Sequence, residues 1–133
     1  MDHFERVEKT MRAMEREPDR VFHEVYLVYT LHGCSAIVGW DERRGELLDA
    51  VAMACTTILC PPVAIGSEGD DFYCFIQQNP ERSIQAVADA VGASLGGWPG
   101  DYSCVAVGSE DVDDVVRAIN VGSLKTLLAS WQR

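Results

Sequence analysis

Basic side chains are scarce in this chain, where 21 aspartates and glutamates outnumber 11 lysines and arginines among 133 residues. The formal net charge is therefore -10, and the sequence pI is near 4.6. A surface of this sign repels phosphate backbones and anionic lipid headgroups, so we expect neither direct nucleic-acid binding nor membrane binding. A basic protein is the partner class that the charge favours, although acidity also serves solubility alone.

Recognisable motifs for metals and cofactors are also lacking. The five cysteines form no Cys-x-x-Cys pair, so the ligand spacing of a structural zinc site is absent. Residues 66–71 are predicted to form a hairpin loop. We expect its acids Glu68, Asp70 and Asp71 to be solvated, because the segment lacks the twelve-residue spacing and closing glutamate of an EF-hand. The glycine-containing segment Gly92–Gly97 ends a predicted helix instead of opening one, unlike a phosphate-binding loop. We therefore predict no catalytic residues, no metal site and no cofactor.

No apolar run is long enough to span a bilayer, and the first five residues lack the basic and apolar regions of a signal peptide. The number of cysteines is odd, whereas secreted domains more often carry an even, patterned set. Most of the cysteines lie in apolar runs, where free thiols behave as small hydrophobic residues. Together these features predict a cytoplasmic protein with free, buried thiols.

Hydrophobic residues nevertheless make up 47% of the chain, a fraction typical of globular proteins. A chain of this length buries enough surface to fold without a disulfide or a metal, so we interpret residues 1–133 as a single domain. Short apolar runs rich in β-branched and aromatic residues predict strands. The predicted strands are Val21–Leu31, Ala36–Trp40, Val63–Ile65, Phe72–Ile76 and Ser103–Val107.

Two amphipathic stretches in the first half of the chain predict helices, because their apolar residues recur at spacings of three and four. The first covers residues 2–17 and stops at Pro18, and we expect it to pack on the core or on a partner. The second follows Asp41, a candidate N-cap, and ends at Pro61.

Two further helices are predicted in the second half. Asn79–Glu81 combines a capping residue, a proline and an acid, which is typical of a helix start, and Gly96 marks the end of that helix. The last helix is predicted to be capped by Ser109 and to continue to Trp131, with Gly122 either bending it or permitting close packing.

This order of elements predicts an α+β fold with a mostly antiparallel sheet of four or five strands and additional N- and C-terminal helices. If Ala36–Trp40 is not a strand, the middle reads β-α-β-β-α-β, the ferredoxin-like split βαβ arrangement. If it is a strand, the chain contains paired ββα units. Both faces of the sheet are apolar, and a bare apolar face would be a large exposed patch. We expect one or both terminal helices to cover the second face, with a homodimer as an accompaniment.

Three acidic groups and one tryptophan are the candidate partner-binding residues. Clustered carboxylates steer a basic partner, and a tryptophan in a glycine-containing loop suits an interface hot spot. Each has a structural alternative, namely solvation, compensation of a helix dipole, or packing of the indole on the core. The candidates are Trp98, Asp111, Asp113, Asp114, Asp41, Glu42, Glu46, Asp49, Glu68, Asp70 and Asp71.

These features predict a non-enzymatic, acidic protein-binding domain, such as an inhibitor or immunity-type protein that masks a basic, nuclease-like or nucleic-acid-binding surface. Two alternatives stay open. A small-ligand sensor would use a cleft between two hairpin–helix units, lined by Tyr26, Tyr73 and Trp98. A small cysteine-dependent enzyme would use Cys34 as nucleophile and His32 as its base, because the two flank one turn.

Overall fold

The structure, a computed structural model, describes residues 26–79, 81–96, 98 and 100–131. The strands are β1 (Tyr26–Leu31), β2 (Pro62–Glu68), β3 (Asp71–Gln77) and β4 (Tyr102–Val107). The helices are α1 (Trp40–Thr57), α2 (Ile84–Ser94), α3 (Val112–Val121) and α4 (Leu124–Trp131). The predicted helix over residues 2–17 and the part of the first predicted strand before Tyr26 lie outside the described residues.

The four strands form one antiparallel sheet in the order β2-β3-β1-β4. β1 lies in the middle, with Leu27 opposite Ile76 of β3 on one side and opposite Ala106 of β4 on the other. Combined with the chain order β1-α1-β2-β3-α2-β4, this is the split βαβ topology. The predicted α+β class and antiparallel sheet are confirmed, and the alternative of paired ββα units is not.

The predicted return strand at Ala36–Trp40 is wrong. Residues 34–36 form a 3-10 turn, and α1 already begins at Trp40. Gly39 precedes the helix with a φ of 73°, a left-handed conformation that interrupts an extended chain and is favourable for glycine. Val38 is 87% exposed, so the apolar run does not mark a buried strand. Gly39 is also the N-cap, which places Asp41 in the first turn instead of at the cap.

The hairpin between β2 and β3 is tighter than the sequence predicts. The predicted loop over residues 66–71 is largely strand, and only Gly69 and Asp70 form the turn. Gly66 serves a close approach of β2 to α3, because a β-carbon there would lie 2.7 Å from Cγ2 of Ile119. Gly66 therefore allows β2 to pack closely against α3 and is not part of the turn.

The starts of the last three helices also differ from the prediction. Asn79 opens a turn in which its Oδ1 accepts a hydrogen bond from the backbone N–H of Glu81, and α2 begins later, after Ser83. An Asx turn and a helix cap use the same type of side-chain bond, so the sequence does not separate them. The predicted last helix is two helices, because Gly122, with a φ of 72°, ends α3. Ser109 opens a 3-10 turn instead of capping α3.

Helices cover both faces of the sheet. On one face, α1 and α2 pack over Leu27, Tyr29 and the inward residues of β3 and β4. On the other, α3 and α4 pack over Val28, Phe75 and their neighbours. The expectation that terminal helices cover the second face therefore holds for the C-terminal pair. All five cysteines are buried and free. None of the helices that the structure describes is long and apolar enough to cross a membrane.

Candidate functional site

A chain of four polar side chains lies at the end of the sheet where β1 finishes and β3 begins. Nδ1 of His32 lies 3.1 Å from Oδ1 of Asp71, the first residue of β3. Nε2 of the same ring lies 3.2 Å from Oγ of Ser103, on β4. Nζ of Lys125, on α4, lies 3.1 Å from Oδ2 of Asp71. Residues distant in the sequence thus meet around one carboxylate and one imidazole.

The strand register explains this meeting. The last residue of β1 lies opposite the second residue of β3 and the first residue of β4. His32, one position further along, therefore lies between Asp71 and Asp101. Ser103, which is paired with Thr30, is its diagonal neighbour on β4. The backbone N–H of His32 donates to the carbonyl of Asp101, and its own carbonyl accepts a 2.7 Å hydrogen bond from the indole of Trp98. These two bonds fix the main chain from which the imidazole projects.

The hydrogen-bonding roles follow from the carboxylate. An ionised carboxylate only accepts, so Nδ1 of His32 donates to Asp71. Nε2 of the neutral ring then carries the lone pair that accepts the hydroxyl proton of Ser103. The side chain of His32 is 41% exposed and that of Asp71 only 12%. The ring is therefore open to solvent, while the group that orients it is shielded.

A shallow cavity of about 470 Å³ lies between the start of α1 and the β2–β3 turn. Three predicted partner-binding residues line it, Asp41 and Glu42 from α1 and Asp70 from the turn. Arg44 also lines it, with Nη2 2.8 Å from Oδ1 of Asp41 and its guanidinium 5.1 Å from the ring centroid of Trp40. Three carboxylates against one guanidinium leave the cavity negatively charged. We call it the acidic cavity.

Hydrogen bonds hold Asp70 at the rim of the acidic cavity. Its Oδ1 accepts from the backbone N–H of Ser35 at 2.7 Å. Hydrogen bonding by Ser35 lowers the pKa of Asp70, and the charges of Lys125 and His32 lower it further. The rim of the cavity therefore carries a carboxylate that is held in position and in its charged form. Within the described part of the chain, the indole N–H of the buried Trp40 has no hydrogen-bond partner.

The remaining acidic candidates do not join this cavity. Glu46 and Asp49 are exposed on α1, and Glu46 lies 3.9 Å from the Nε of Arg43. Asp113 and Asp114 are exposed in the first turn of α3, on the opposite face of the sheet. Asp111, which precedes α3, is half-buried and its side chain makes no capping hydrogen bond.

The predicted acidic loop separates into three environments. Asp70 is exposed on the turn, whereas Asp71 is buried against His32 and Lys125, so the expectation of a solvated loop is wrong for Asp71. Glu68 is half-buried, with one carboxylate oxygen shielded and without a partner among the described residues. Burial raises the pKa of Tyr73, and the charges of Glu68 and Asp71 raise it further.

The tryptophan in the predicted binding set is folded back on the core. Trp98 is half-buried, and a β-carbon on Gly92 of α2 would lie 3.3 Å from its ring. It packs on the face covered by α1 and α2, whereas Tyr26 and Tyr73 pack on the face covered by α3 and α4. The three aromatic residues predicted to line one ligand cleft therefore lie on opposite faces. A hot-spot role for Trp98 stays a prediction.

The predicted pairing of Cys34 with His32 is not found. The Cys34 side chain is buried, with Sγ 3.5 Å from the carbonyl oxygen of Leu31. Both ring nitrogens of His32 instead contact Asp71 and Ser103. Burial raises the pKa of the Cys34 thiol to about 11, with a smaller contribution from nearby carboxylates. A thiol in this state is a poor nucleophile at neutral pH.

We expect iodoacetamide to alkylate Cys34 in the native protein at pH 7.5 about 100-fold more slowly than an ordinary exposed thiol, because the thiolate fraction is small. Alkylation accelerates as the pH approaches 11. The raised pKa also contributes stability that is present below about pH 9 and is lost as the pH rises toward 11. Peptide mass spectrometry of timed samples measures the rate. Rapid, selective alkylation near neutral pH contradicts this prediction and supports the cysteine enzyme.

The described residues contain no group of three or more histidine, cysteine, aspartate or glutamate side chains arranged to hold a metal ion. The groups that the structure brings together are therefore the acidic cavity and the chain from Lys125 to Ser103. Comparison of the chain with protein-family models, with curated proteins and with solved structures finds no match.

Proposed function

We propose that this chain is an acidic protein-binding domain whose acidic cavity receives an arginine or lysine side chain of a basic partner. The observation that carries the proposal is the convergence of Asp41, Glu42 and Asp70, from two separate segments, on one cavity. All three side chains belong to exposed residues, so a partner reaches them without rearrangement of the core. Hydrogen bonds between charged groups contribute about 1.5–3 kcal/mol each when they are well formed.

The net charge of the chain supports the same partner class. A formal charge of -10 raises the rate at which a positively charged surface is encountered. The exposed acids Glu46 and Asp49 on α1 extend the negative potential away from the acidic cavity. Charges at the rim of an interface act mainly on the association rate, whereas groups in a cavity act on dissociation. We therefore propose that Glu46 and Asp49, the α1 surface, raise the rate of association with the partner. The acidic cavity then slows its dissociation.

Within this class, we favour an inhibitor or immunity-type protein that masks a nuclease-like or nucleic-acid-binding surface. Carboxylates placed on a protein surface offer a basic groove the same charge that phosphates offer, so the two compete for the same cations. A homodimer stays a prediction, for which sedimentation of the purified chain is the direct measurement.

Charge-neutralising variants with a matched control test this proposal. A tagged copy captures proteins from its native extract at low salt, and bound proteins are eluted by increasing salt and identified by mass spectrometry. The test variant carries Asp41→Asn, Glu42→Gln and Asp70→Asn, which keep the shapes and a hydrogen-bond acceptor at each position. The control carries Glu110→Gln, Asp113→Asn and Asp114→Asn, which change the net charge by the same amount. These exposed acids lie just before and at the start of α3, away from both the acidic cavity and the α1 surface.

We expect the wild-type chain and the control to retain the same basic protein, and the cavity variant to retain about tenfold less of it. We expect the partner to elute at moderate salt, because the contact depends mainly on exposed charges and salt screens their attraction. Equal retention by the cavity variant contradicts a role for the acidic cavity. Capture of no basic protein by the wild-type chain contradicts the proposed partner class.

A further inference from the structure

We propose that Ser103 is a nucleophilic serine, activated by His32, that hydrolyses activated esters through an acyl-serine intermediate. Asp71 and Lys125 act as positioning residues. This activity goes beyond the proposed binding function, and it differs from the sequence-based prediction of no catalytic residues. It rests on the side-chain contacts at the end of the sheet and does not involve the acidic cavity.

The contacts bring together a nucleophile, a base and a group that orients the base. The hydroxyl of Ser103 lies 3.2 Å from Nε2 of His32, within reach for proton transfer. The opposite ring nitrogen lies 3.1 Å from the carboxylate of Asp71, which sets the tautomer with the lone pair on Nε2. Such a constellation is recognised by geometry and roles on unrelated folds, independently of sequence position.

The carboxylate is itself held in place. Oδ1 of Asp71 contacts His32 and Oδ2 contacts Lys125, so rotation of the carboxylate breaks one contact or the other. Asp71 and Ser103 are strand residues, and a site built on strands is positioned more accurately than one built on loops. The ion pair with Lys125 links the Asp71 carboxylate to α4, which packs on the sheet. The arrangement keeps the imidazole aimed at the hydroxyl.

A reagent can reach the reacting atoms. The His32 side chain is 41% exposed, and Ser103 is half-buried. Because the site is open to solvent, we expect small substrates with good leaving groups, such as aryl esters, in preference to amides.

The proposed reaction is the hydrolysis of an ester, with water as the second reactant. Oγ of Ser103 bonds to the carbonyl carbon of the ester while its proton passes to Nε2 of His32. The bond from that carbon to the leaving oxygen breaks, and the imidazolium returns the proton to the leaving group. Water then attacks the acyl-serine, His32 again accepts and returns a proton, and the acid leaves with Ser103 restored.

Labelling with a fluorophosphonate probe tests the nucleophile directly, because such a probe forms a stable bond to an activated serine oxygen. We expect the probe on Ser103 of the wild-type chain, located by peptide mass spectrometry, and no label at that position in Ser103→Ala. Ser67→Ala is the matched control, since Ser67 is also a half-buried strand serine but has no histidine contact among the described residues. This control is expected to label as the wild-type chain does.

The contribution of the base is measured by the labelling rate of His32→Gln, which we expect to be about 100-fold lower. In the wild-type chain the rate falls in acid, because protonation removes the lone pair on Nε2, while the rate of His32→Gln stays flat over the same range. The charged groups around His32 include Asp71, which contacts it, Lys125 of α4, which contacts Asp71, and Asp70, whose pKa the charge of His32 influences. Asp71→Asn is expected to lower the rate and to change the pH profile, which a purely structural role does not do.

Hydrolysis of p-nitrophenyl acetate, with an initial burst of nitrophenol, is the expected catalytic readout. A thermal melt accompanies each variant to show that it is folded. If His32→Gln does not fold, the pH profile of the wild-type chain and the Ser103→Ala variant decide the outcome. A folded wild-type chain that does not label at Ser103, or labelling that is independent of pH and of His32, overturns the proposal.

Discussion

Gly100→Ala is expected to lower the free energy of unfolding by about 3 kcal/mol, at the upper end of what overpacking costs. A β-carbon at this position overlaps the carbonyl oxygen of His32 and lies 2.8 Å from Nε1 of Trp98. Those two atoms form a 2.7 Å hydrogen bond with each other, so neither moves away without breaking it. Urea denaturation followed by circular dichroism measures the change.

The same substitution is expected to reduce fluorophosphonate labelling of Ser103, because the backbone of His32 shifts and carries the imidazole with it. Gly45→Ala is the matched control. Gly45 lies inside α1, and a β-carbon there meets nothing within 4 Å. Replacing a glycine in a helix by alanine stabilises by about 0.5–1 kcal/mol. A Gly100→Ala protein that unfolds at the wild-type urea concentration contradicts the close packing of these three residues.

Leu124→Ala is expected to cost about 3 kcal/mol, because the substitution leaves a cavity in the core on the second face of the sheet. Leu124 is the first residue of α4, is fully buried, and packs in the same cluster as Val28 and Phe75. The helix also carries Lys125, so loosening it weakens the ion pair with Asp71. Urea denaturation measures the loss, and increased fluorescence of a hydrophobic dye reports exposure of the sheet face.

Val121→Ala is the control for this prediction. Val121 ends α3, three residues before α4 begins at Leu124, and it is 69% exposed. Removing its methyl groups is expected to change the free energy of unfolding by no more than about 0.5 kcal/mol. Equal effects of the two substitutions indicate that α4 does not pack on the sheet as described.

Most of the fold could be predicted from the sequence, because the spacing of apolar residues indicates which side chains are buried. The run that became β3 is apolar on both sides, and the structure buries it between two helical layers. The predicted elements were wrong where the backbone conformation of one residue, and not the spacing of apolar residues, determines where a helix begins or ends. Ala36–Trp40 has the composition of a strand, but the left-handed conformation of Gly39 turns the chain into α1. Gly122 divides the last helix for the same reason.

The site was less predictable because it depends on strand register. His32 lies 39 residues from Asp71 and 71 residues from Ser103, so no local motif connects them. The sequence offered Cys34, two positions away, as the nearest nucleophile, but its side chain points into the core. Asp70 and Asp71 are adjacent in the chain and have different environments, because Asp70 lies on the exposed hairpin turn whereas Asp71 is the first residue of β3. Only the pairing of β1 with its neighbours brings the hydroxyl to the imidazole.

The helices on both faces of the sheet also restrict how the chain can assemble through its backbone. With both faces covered by helices, the borders of the described sheet are the strands β2 and β4. β2 begins with Pro62, which has no N–H to donate, and its pairing with β3 is irregular between Pro62 and Ala64. An extended peptide that pairs with this sheet as a further strand would therefore bind more regularly along β4 than along β2. It would then lie next to Ser103.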